Sequence, residues 1–217
     1  MEKIIKCREP CTRYRFIVFI TIILTAVGPF FMYDLPQIYE DVIIRTFDKT
    51  AVEVESLYSI YSLPNLIMTP LGSILLTYTG LGQGGVIFHF LIVLGSLMIY
   101  FGFAVKNFMW VFWGRAVYGL GSEVGFIIAA TVCDRWFSGK FMSIAQSMLR
   151  TIGFLGVFLG LFIGPDLFIK YRVMCYTLSV YVFLSFFSFL MMVIYSLTEH
   201  RHEIASAKRE KILQREK

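Results

Sequence analysis

Long apolar stretches separated by short polar ones dominate the pattern along the chain. Each stretch is close to the about 20 residues that a helix needs to cross the hydrocarbon core of a bilayer. Because the connections are short, sequential helices are expected to be antiparallel neighbours. The pattern predicts an all-α membrane protein with six transmembrane helices, over residues 15–36, 54–78, 85–104, 108–131, 142–164 and 173–197.

The polar segments divide the chain around these spans. A basic segment, residues 1–14, precedes the first span, and a basic tail, residues 198–217, follows the last and is expected to form a short helix. The first apolar run is too long for a signal-peptide core, and no small-residue cleavage site follows it. The sequence therefore predicts one six-span domain, residues 15–197, between two polar termini. Residues 37–53 carry mixed charge and are expected to be a loop.

Composition and charge agree with a membrane protein. Hydrophobic residues make up 57% of the chain and charged residues 16%, which excludes a single soluble core. The net charge of +5 comes from residues beside apolar spans, so the anionic membrane surface is a better partner than nucleic acid. Thirteen Lys and Arg residues fall on the side with both termini and five on the other. The positive-inside rule therefore predicts that both termini are cytosolic.

Three charged residues lie deep within the predicted spans: Arg115, Glu123 and Arg150. Each costs about 2.5–3.5 kcal/mol at the membrane centre, which makes it a functional candidate that faces the bundle interior. Glu123 and Arg150 each lie roughly 12 Å from the same membrane face on adjacent antiparallel spans. They therefore either form a structural ion pair or clamp a zwitterion, with Glu123 binding an ammonium group and Arg150 a carboxylate.

Several other residues in or near the spans each allow two interpretations of their role. Asp34, at the outer end of the first span, is either a protonatable group or a solvated carboxylate, and His89 is either a packing residue or a proton relay. Pro64 and Pro70 are expected to break the second span. Prolines and glycines in spans suit helices that bend and slide, as carriers require, or serve packing alone.

Few motifs point to other chemistry. Cys7 and Cys11 precede the first span and are either palmitoylation candidates or free thiols, and without His partners they make a poor metal site. Asn-x-Ser/Thr does not occur, so N-linked glycan is not expected on this chain. Walker, H-E-x-x-H and G-x-S-x-G motifs are also absent from the sequence. We therefore predict no enzyme activity and no cofactor.

Several blocks together resemble a known family. Arg115-x-x-x-Gly119-x-Gly121 is similar to the fourth-helix motif of the major facilitator superfamily, and Gly160-x-x-x-Gly164-Pro165 to its fifth-helix motif. Four blocks resemble more specifically the lysosomal dipeptide-transporter branch of that superfamily. They are Tyr33-Asp34-x-Pro36, Leu57-Tyr58-Ser59-x-Tyr61-Ser62-x-Pro64-Asn65, Gly114-Arg115 through Gly121-x-Glu123, and Trp136-Phe137-x-Gly139-Lys140.

The resemblance implies the N-terminal six-helix bundle of the major facilitator fold and facilitated diffusion of cationic, neutral or anionic dipeptides out of lysosomes. In that branch a helix-four glutamate and a helix-five arginine bind the two peptide termini. Glu123 matches its block directly, whereas Arg150 lies about one helical turn closer to Gly139-Lys140 than the family pattern has it. Arg115 is expected near the lumenal half, where it would couple the fourth helix to its neighbours. The branch also works with a glycosylated accessory membrane protein.

Three departures bear on function. Leu76 stands where the loop between helices two and three of the family carries an acid, and neither tail shows an acidic dileucine sorting signal. The family fold has two six-helix halves, and this sequence supplies only the first. Either the chain is a fragment, or a homodimer partner or second chain completes it, or it no longer transports. The favoured prediction is a carrier of small zwitterionic solutes, and the alternative is a structural accessory subunit of a larger membrane complex.

Overall fold

The protein is a bundle of long helices. The computed structural model describes residues 12–215, with side chains described over residues 15–202 and at Ile204. Cys7 and Cys11 lie outside the described residues. Within that range every regular element is an α-helix: α1 (Thr12–Phe31), α2 (Leu35–Ile38), α3 (Glu40–Phe47), α4 (Ala51–Thr79), α5 (Leu81–Ala104), α6 (Phe108–Trp136), α7 (Lys140–Tyr171) and α8 (Met174–Arg215).

Five of these helices, α4 to α8, are long and apolar enough to cross a membrane. The apolar part of α1, Arg15–Phe31, is shorter than these five. The described chain is thus a helical membrane bundle, and a sixth span over residues 15–36 stays a prediction. Residues 32–50, which include α2 and α3, connect α1 to α4 at one end of the bundle, which we call the α3 end.

Helix α6 is the centre of the bundle. About 61% of its apolar span is buried, against 22% for α4 and for α7. This helix contributes residues to both apolar clusters of the core. Tyr118 belongs to the cluster nearer the α3 end, and Val124 and Ile128 belong to the other cluster. Each cluster recruits residues from α1, α4, α5 and α8 around this helix. The pattern leaves α4 and α7 as the exposed walls of the bundle.

The prediction of a loop over residues 37–53 is wrong, because α3 and the adjoining ends of α2 and α4 occupy most of it. The sequence of α3 fits a short helix: Glu40 and Asp41 lie in the first turn and Arg45 in the last, as the helix dipole favours. Ile43 is fully buried and anchors the segment in the core. Mixed charge therefore reflected an amphipathic helix rather than a loop.

The prediction that Pro64 and Pro70 break the second span is also wrong, since both lie inside the continuous helix α4. A capping box at Thr50 starts this helix: the Thr50 hydroxyl accepts from the Glu53 N–H, and the Glu53 carboxylate accepts from the Thr50 N–H. Near Pro64, the Asn65 side-chain amide donates a 2.8 Å hydrogen bond to the Tyr61 carbonyl. The helix thus continues past both prolines, although each lacks the N–H that a helical residue donates to the carbonyl four positions earlier.

The last helices extend past their predicted ends. Helix α6 continues to Trp136, and α7 continues through Pro165 to Tyr171. The predicted tail is not a separate short helix, because α8 runs without a break from Met174 to Arg215. The polar residues in these extensions are ordinary helix formers, so an apolar window marks where a span ends and not where its helix ends.

Candidate functional site: a charged cavity between four helices

A cavity of about 500 Å³ lies between α1, α4, α6 and α7. Its volume falls within the range of about 300–1,000 Å³ that is usual for ligand pockets. The wall is mainly apolar, with a small group of polar and charged side chains. Its lining residues are Pro29, Phe30, Tyr33, Asp34, Tyr61, Ser122, Glu123, Phe126, Arg150, Phe154 and Val157.

Glu123 and Arg150 both line this cavity, as their predicted common level requires. They do not form an ion pair: among the described side chains, ion pairs within 4.0 Å join Lys49 to Glu53 and Arg135 to Glu199. Arg150 is exposed on α7, and Glu123 is half-buried on α6. Each charge therefore faces the cavity without neutralising the other, which leaves both available to a ligand.

Helix α4 holds the Glu123 carboxylate through Tyr61. The Tyr61 hydroxyl donates to Glu123 Oε1 over 3.1 Å and lies 2.7 Å from Ser122 Oγ. The Tyr61 ring packs edge-on against Tyr33, with 5.4 Å between the ring centroids. Hydrogen bonds to ionised groups are stronger than neutral ones, so this contact positions the carboxylate.

Arg115 lies behind the cavity wall rather than in it. Its side chain is fully buried and donates to the carbonyls of Met32, over 3.2 Å, and Tyr33, over 2.9 Å. The guanidinium also lies over the rings of Tyr58 and Tyr61, at 5.7 and 5.1 Å from their centroids. These contacts join α6 to α4 and to the corner after α1, at the α3 end. The membrane face on which this end lies stays a prediction.

The two glycines predicted as part of the transport motif lie where helices touch. A Cβ on Gly119 would lie 2.5 Å from the Tyr61 carbonyl oxygen of α4. A Cβ on Gly121 would lie 2.6 Å from the Phe88 carbonyl oxygen of α5. Only a residue without a side chain allows these close approaches. Pro64 and Asn65 lie one turn from Tyr61 on α4 and do not line the cavity.

His89 lines a second, small cavity of about 10 Å³, which shares several lining residues with the main cavity. It is 2% exposed, and its Nδ1 lies 2.9 Å from the Gly85 carbonyl oxygen. Burial with a local hydrogen bond is what a packing residue shows. Leu76, at the position where the family carries an acid, is buried in the apolar cluster around Val124. Near that end of the bundle the described ion pair is Arg135–Glu199, which links α6 to α8 over 2.6 Å.

The sequence analysis named Asp34, Tyr61, Glu123 and Arg150 as candidate site residues. In the structure all four line one cavity. The side chains that complete the wall were missed, although helical spacing carried the signal. Phe126 follows Glu123 by three residues and Phe154 follows Arg150 by four, so each shares a helix face with its charge. The missed lining residues are Pro29, Phe30, Tyr33, Ser122, Phe126, Phe154 and Val157.

A bundle of apolar helices around a ligand-sized cavity with unpaired acid and base is the general form of a multi-pass membrane protein with a polar solute site. No protein-family model matches the chain. It is 28% identical over 144 residues to the lysosomal dipeptide transporter MFSD1 of Danio rerio, covering 66% of this chain and 31% of that protein. It is 24% identical over 151 residues to the Homo sapiens lysosomal dipeptide transporter MFSD1, covering 69% of this chain and 32% of that protein.

These similarities confirm the predicted resemblance to the lysosomal dipeptide-transporter branch of the major facilitator superfamily, as a distant relationship over part of the chain. The chain spans about a third of the length of these curated relatives over the matched region.

Proposed function

We propose that this chain forms one half of a carrier for small zwitterionic solutes, with dipeptides as the substrate and facilitated diffusion as the mode. The observation that carries the proposal is that Glu123 and Arg150 line one cavity without pairing. A dipeptide in its extended form presents an ammonium group and a carboxylate at its two ends. Glu123 would bind the first and Arg150 the second, while the phenyl rings of Phe30, Phe126 and Phe154 contact the apolar parts.

The relatives support this assignment and its location. They are lysosomal dipeptide transporters by name, so an endomembrane, and the lysosome first, is the proposed site of this chain. Both termini would be cytosolic, with residues 1–14 and 198–217 as basic cytosolic segments flanking the spans. A glycosylated accessory membrane protein belongs to the proposed assembly as well. The absence of Asn-x-Ser/Thr from this chain is consistent with such a partner.

The test measures ligand-induced thermal stabilisation of the purified protein with the dipeptide Ala-Ala. Glu123→Gln and Arg150→Gln are each expected to lower the affinity for Ala-Ala by about tenfold or more, since each removes one charge-assisted contact. Glu55→Gln and Arg45→Gln, at exposed positions away from the cavity, serve as matched controls. Unchanged stabilisation in both cavity variants would overturn the clamp. Loss of unliganded stability in both, without any dependence on the dipeptide, would favour the structural accessory subunit.

A second six-helix unit is part of the proposal, because the exposed walls carry polar groups at membrane depth. Arg150 is exposed on α7 near the middle of the span, where contact with lipid costs about 2.5–3.5 kcal/mol. Hydroxyl side chains share the exposed faces of α4 and α7. They are Ser59, Ser62, Thr69, Ser73 and Thr77 on α4, and Ser143, Ser147 and Thr151 on α7.

The native mass in mild detergent distinguishes the sources of this second unit. A polypeptide well above 25.0 kDa on denaturation would show that the second half continues the same chain. A 25.0 kDa chain that runs as a dimer would show that a second copy covers α4 and α7. A monomer of that mass, with α4 and α7 accessible to lipid-phase labels, would contradict the proposed second unit.

A further inference from the structure

The small cavity at His89 lies beside a gap in the backbone hydrogen bonds of α1. Pro29 has no N–H, so the Thr25 carbonyl, four positions earlier, lacks the donor that a helix normally supplies. Thr25 and His89 line the small cavity together, and the His89 ring faces that carbonyl. Carbonyls freed by a proline within a membrane bundle are usually satisfied by neighbouring helices or ordered water. The Thr25 carbonyl therefore requires a donor other than residue 29.

The hydrogen bond of His89 to its own helix determines which ring nitrogen carries a hydrogen. Nδ1 lies 2.9 Å from the Gly85 carbonyl oxygen, and because a carbonyl only accepts, Nδ1 donates. In the neutral ring Nε2 then has no hydrogen and is an acceptor. Hydrogens on both nitrogens would place a charge on a side chain that is 2% exposed, which is costly. His89 Nε2 and the Thr25 carbonyl are thus two acceptors at the same small cavity, and neither donates to the other.

One water molecule would satisfy both acceptors, because water has two hydrogens to donate. The small cavity has about 10 Å³, the size that admits a single water, and a buried water needs two to four polar partners. The Ser122 hydroxyl lines this cavity as well as the main one and is the third partner. The small cavity thus has both the room and the polar groups for one water.

We propose that the small cavity binds one structural water, through which His89 replaces the donor that Pro29 cannot supply to the Thr25 carbonyl. His89 is then a positioning residue for the main cavity, because α1 forms part of that wall directly after Pro29. The wall residues of this segment are Phe30, Tyr33 and Asp34. The water site does not depend on the proposed function, and only its effect on solute binding rests on it.

The same water also connects to the acid of the main cavity. Ser122 Oγ lies 2.7 Å from the Tyr61 hydroxyl, which donates to Glu123 Oε1 over 3.1 Å. A row of hydrogen-bonding groups therefore runs from the small cavity to the Glu123 carboxylate. Loss of the water is expected to disturb both the α1 wall and this row.

The first experiment measures the melting temperature of the full chain in detergent for His89→Leu, Pro29→Ala and the double variant. His89→Leu removes a partner of the water, and the melting temperature is expected to fall by about 3–9 °C. Pro29→Ala restores an N–H for the Thr25 carbonyl, so His89→Leu should cost less than about half as much in that background. Phe88→Leu, a buried position of α5 that lines neither cavity, is the matched control and should cost the same in both backgrounds. An equal cost of His89→Leu in both backgrounds would show a packing residue and overturn the proposal.

The position of the hydrogens on His89 tests the water directly, and it also decides the matter where His89→Leu does not fold. The chain has three histidines, so His200→Gln combined with His202→Gln leaves His89 alone. Nitrogen NMR of this labelled protein at pH 7 is expected to show a hydrogen on Nδ1, none on Nε2, and magnetisation transfer from water to the ring. A hydrogen on Nε2 would show direct donation to the Thr25 carbonyl and overturn the water site.

Binding of Ala-Ala to the same variants separates the water site from the proposed function. His89→Leu is expected to lower the affinity for Ala-Ala about threefold or more, and to lower it less in the Pro29→Ala background. An unchanged affinity in His89→Leu would overturn the positioning role. A wild-type protein that does not bind Ala-Ala overturns the proposed function and the positioning role together, whereas the melting and NMR results still decide the water site.

Discussion

The Tyr61 hydroxyl donates a 3.1 Å hydrogen bond to Glu123 Oε1 and thereby joins α4 to α6 at the cavity wall. Tyr61 itself is 4% exposed, so this contact is largely shielded from water. The same tyrosine ring lies 5.1 Å from the Arg115 guanidinium. One side chain thus connects the acid that faces the cavity to the buried base behind it.

We first expect Tyr61→Phe to weaken ligand binding without unfolding the protein. The phenylalanine ring keeps the packing on Tyr33 and Arg115, but the Glu123 carboxylate loses its donor. A hydrogen bond to a charged group contributes about 1.5–3 kcal/mol, so affinity for Ala-Ala should fall at least about tenfold. Binding isotherms measure this effect. Tyr58→Phe, on the same helix and also over Arg115, should bind like the wild type.

Substitutions of Arg115 and Arg150 should have different effects on the stability of the protein. Arg115→Met leaves the carbonyls of Met32 and Tyr33 without their side-chain donor, at about 1–3 kcal/mol for each buried acceptor. Its melting temperature in detergent should fall clearly. Arg150→Gln should melt near the wild-type temperature, because that side chain is exposed and forms no ion pair among the described residues. Equal losses of stability in the two variants would contradict this division.

Gly119→Ala should disturb the site through the backbone of α4. The added Cβ would lie 2.5 Å from the Tyr61 carbonyl oxygen, so α4 and α6 must move apart. Overpacking of this kind typically costs about 1–3 kcal/mol, and the shift also displaces the Tyr61 hydroxyl from Glu123. Both the melting temperature and the affinity for Ala-Ala should fall. Gly125→Ala, where the nearest atom is a His89 ring carbon at 3.2 Å, is the control with a milder effect.

Tyr39 and Tyr181 should stabilise the α3 end independently of pH over the physiological range. Their hydroxyls lie 3.1 Å apart, and burial raises the pKa of Tyr39 to about 12, against the lowering effect of its hydrogen bond to Tyr181. A raised pKa favours the neutral phenol in the folded state. The stabilisation is thus complete below the ordinary pKa of about 10 and is lost only as pH rises towards 12.

Tyr39→Phe is therefore expected to lower the free energy of unfolding by about 0.5–1.5 kcal/mol, equally at pH 5 and pH 8. Thermal melts at the two pH values measure this difference. Tyr33→Phe, a change of the same chemistry at an exposed position, is the control. A Tyr39→Phe effect that disappears at either pH value would contradict the neutral pair.

Hydropathy predicted the five long apolar helices, and charge pointed to Glu123 and Arg150, which line the cavity. A charge such as Glu123 or Arg150 is costly in lipid, so its presence in a span already implies a polar cavity. The loop over residues 37–53 was misjudged because α3 is too short for hydropathy to reveal, although its charges follow the helix dipole. The position of Asp34 in the cavity wall depends on how the corner after α1 packs against α4 and α6, which no local pattern contains.

The attachments of α7 differ from those of the other cavity walls. Gln146 donates to the Ala130 carbonyl and to Asp134 Oδ1 of α6, one turn before Arg150. Beyond that turn, Gly153, Gly156 and Gly160 lie directly against α1, at Phe30, Val27 and Phe31. These contacts of α7 with α1 involve no α7 side chain, whereas hydrogen bonds of Tyr61 and Arg115 join α6 to α4 and to the corner after α1. We therefore expect that a change in cavity width would come from α7 and would alter the distance between Glu123 and Arg150, with the Gln146 contacts as its fixed end.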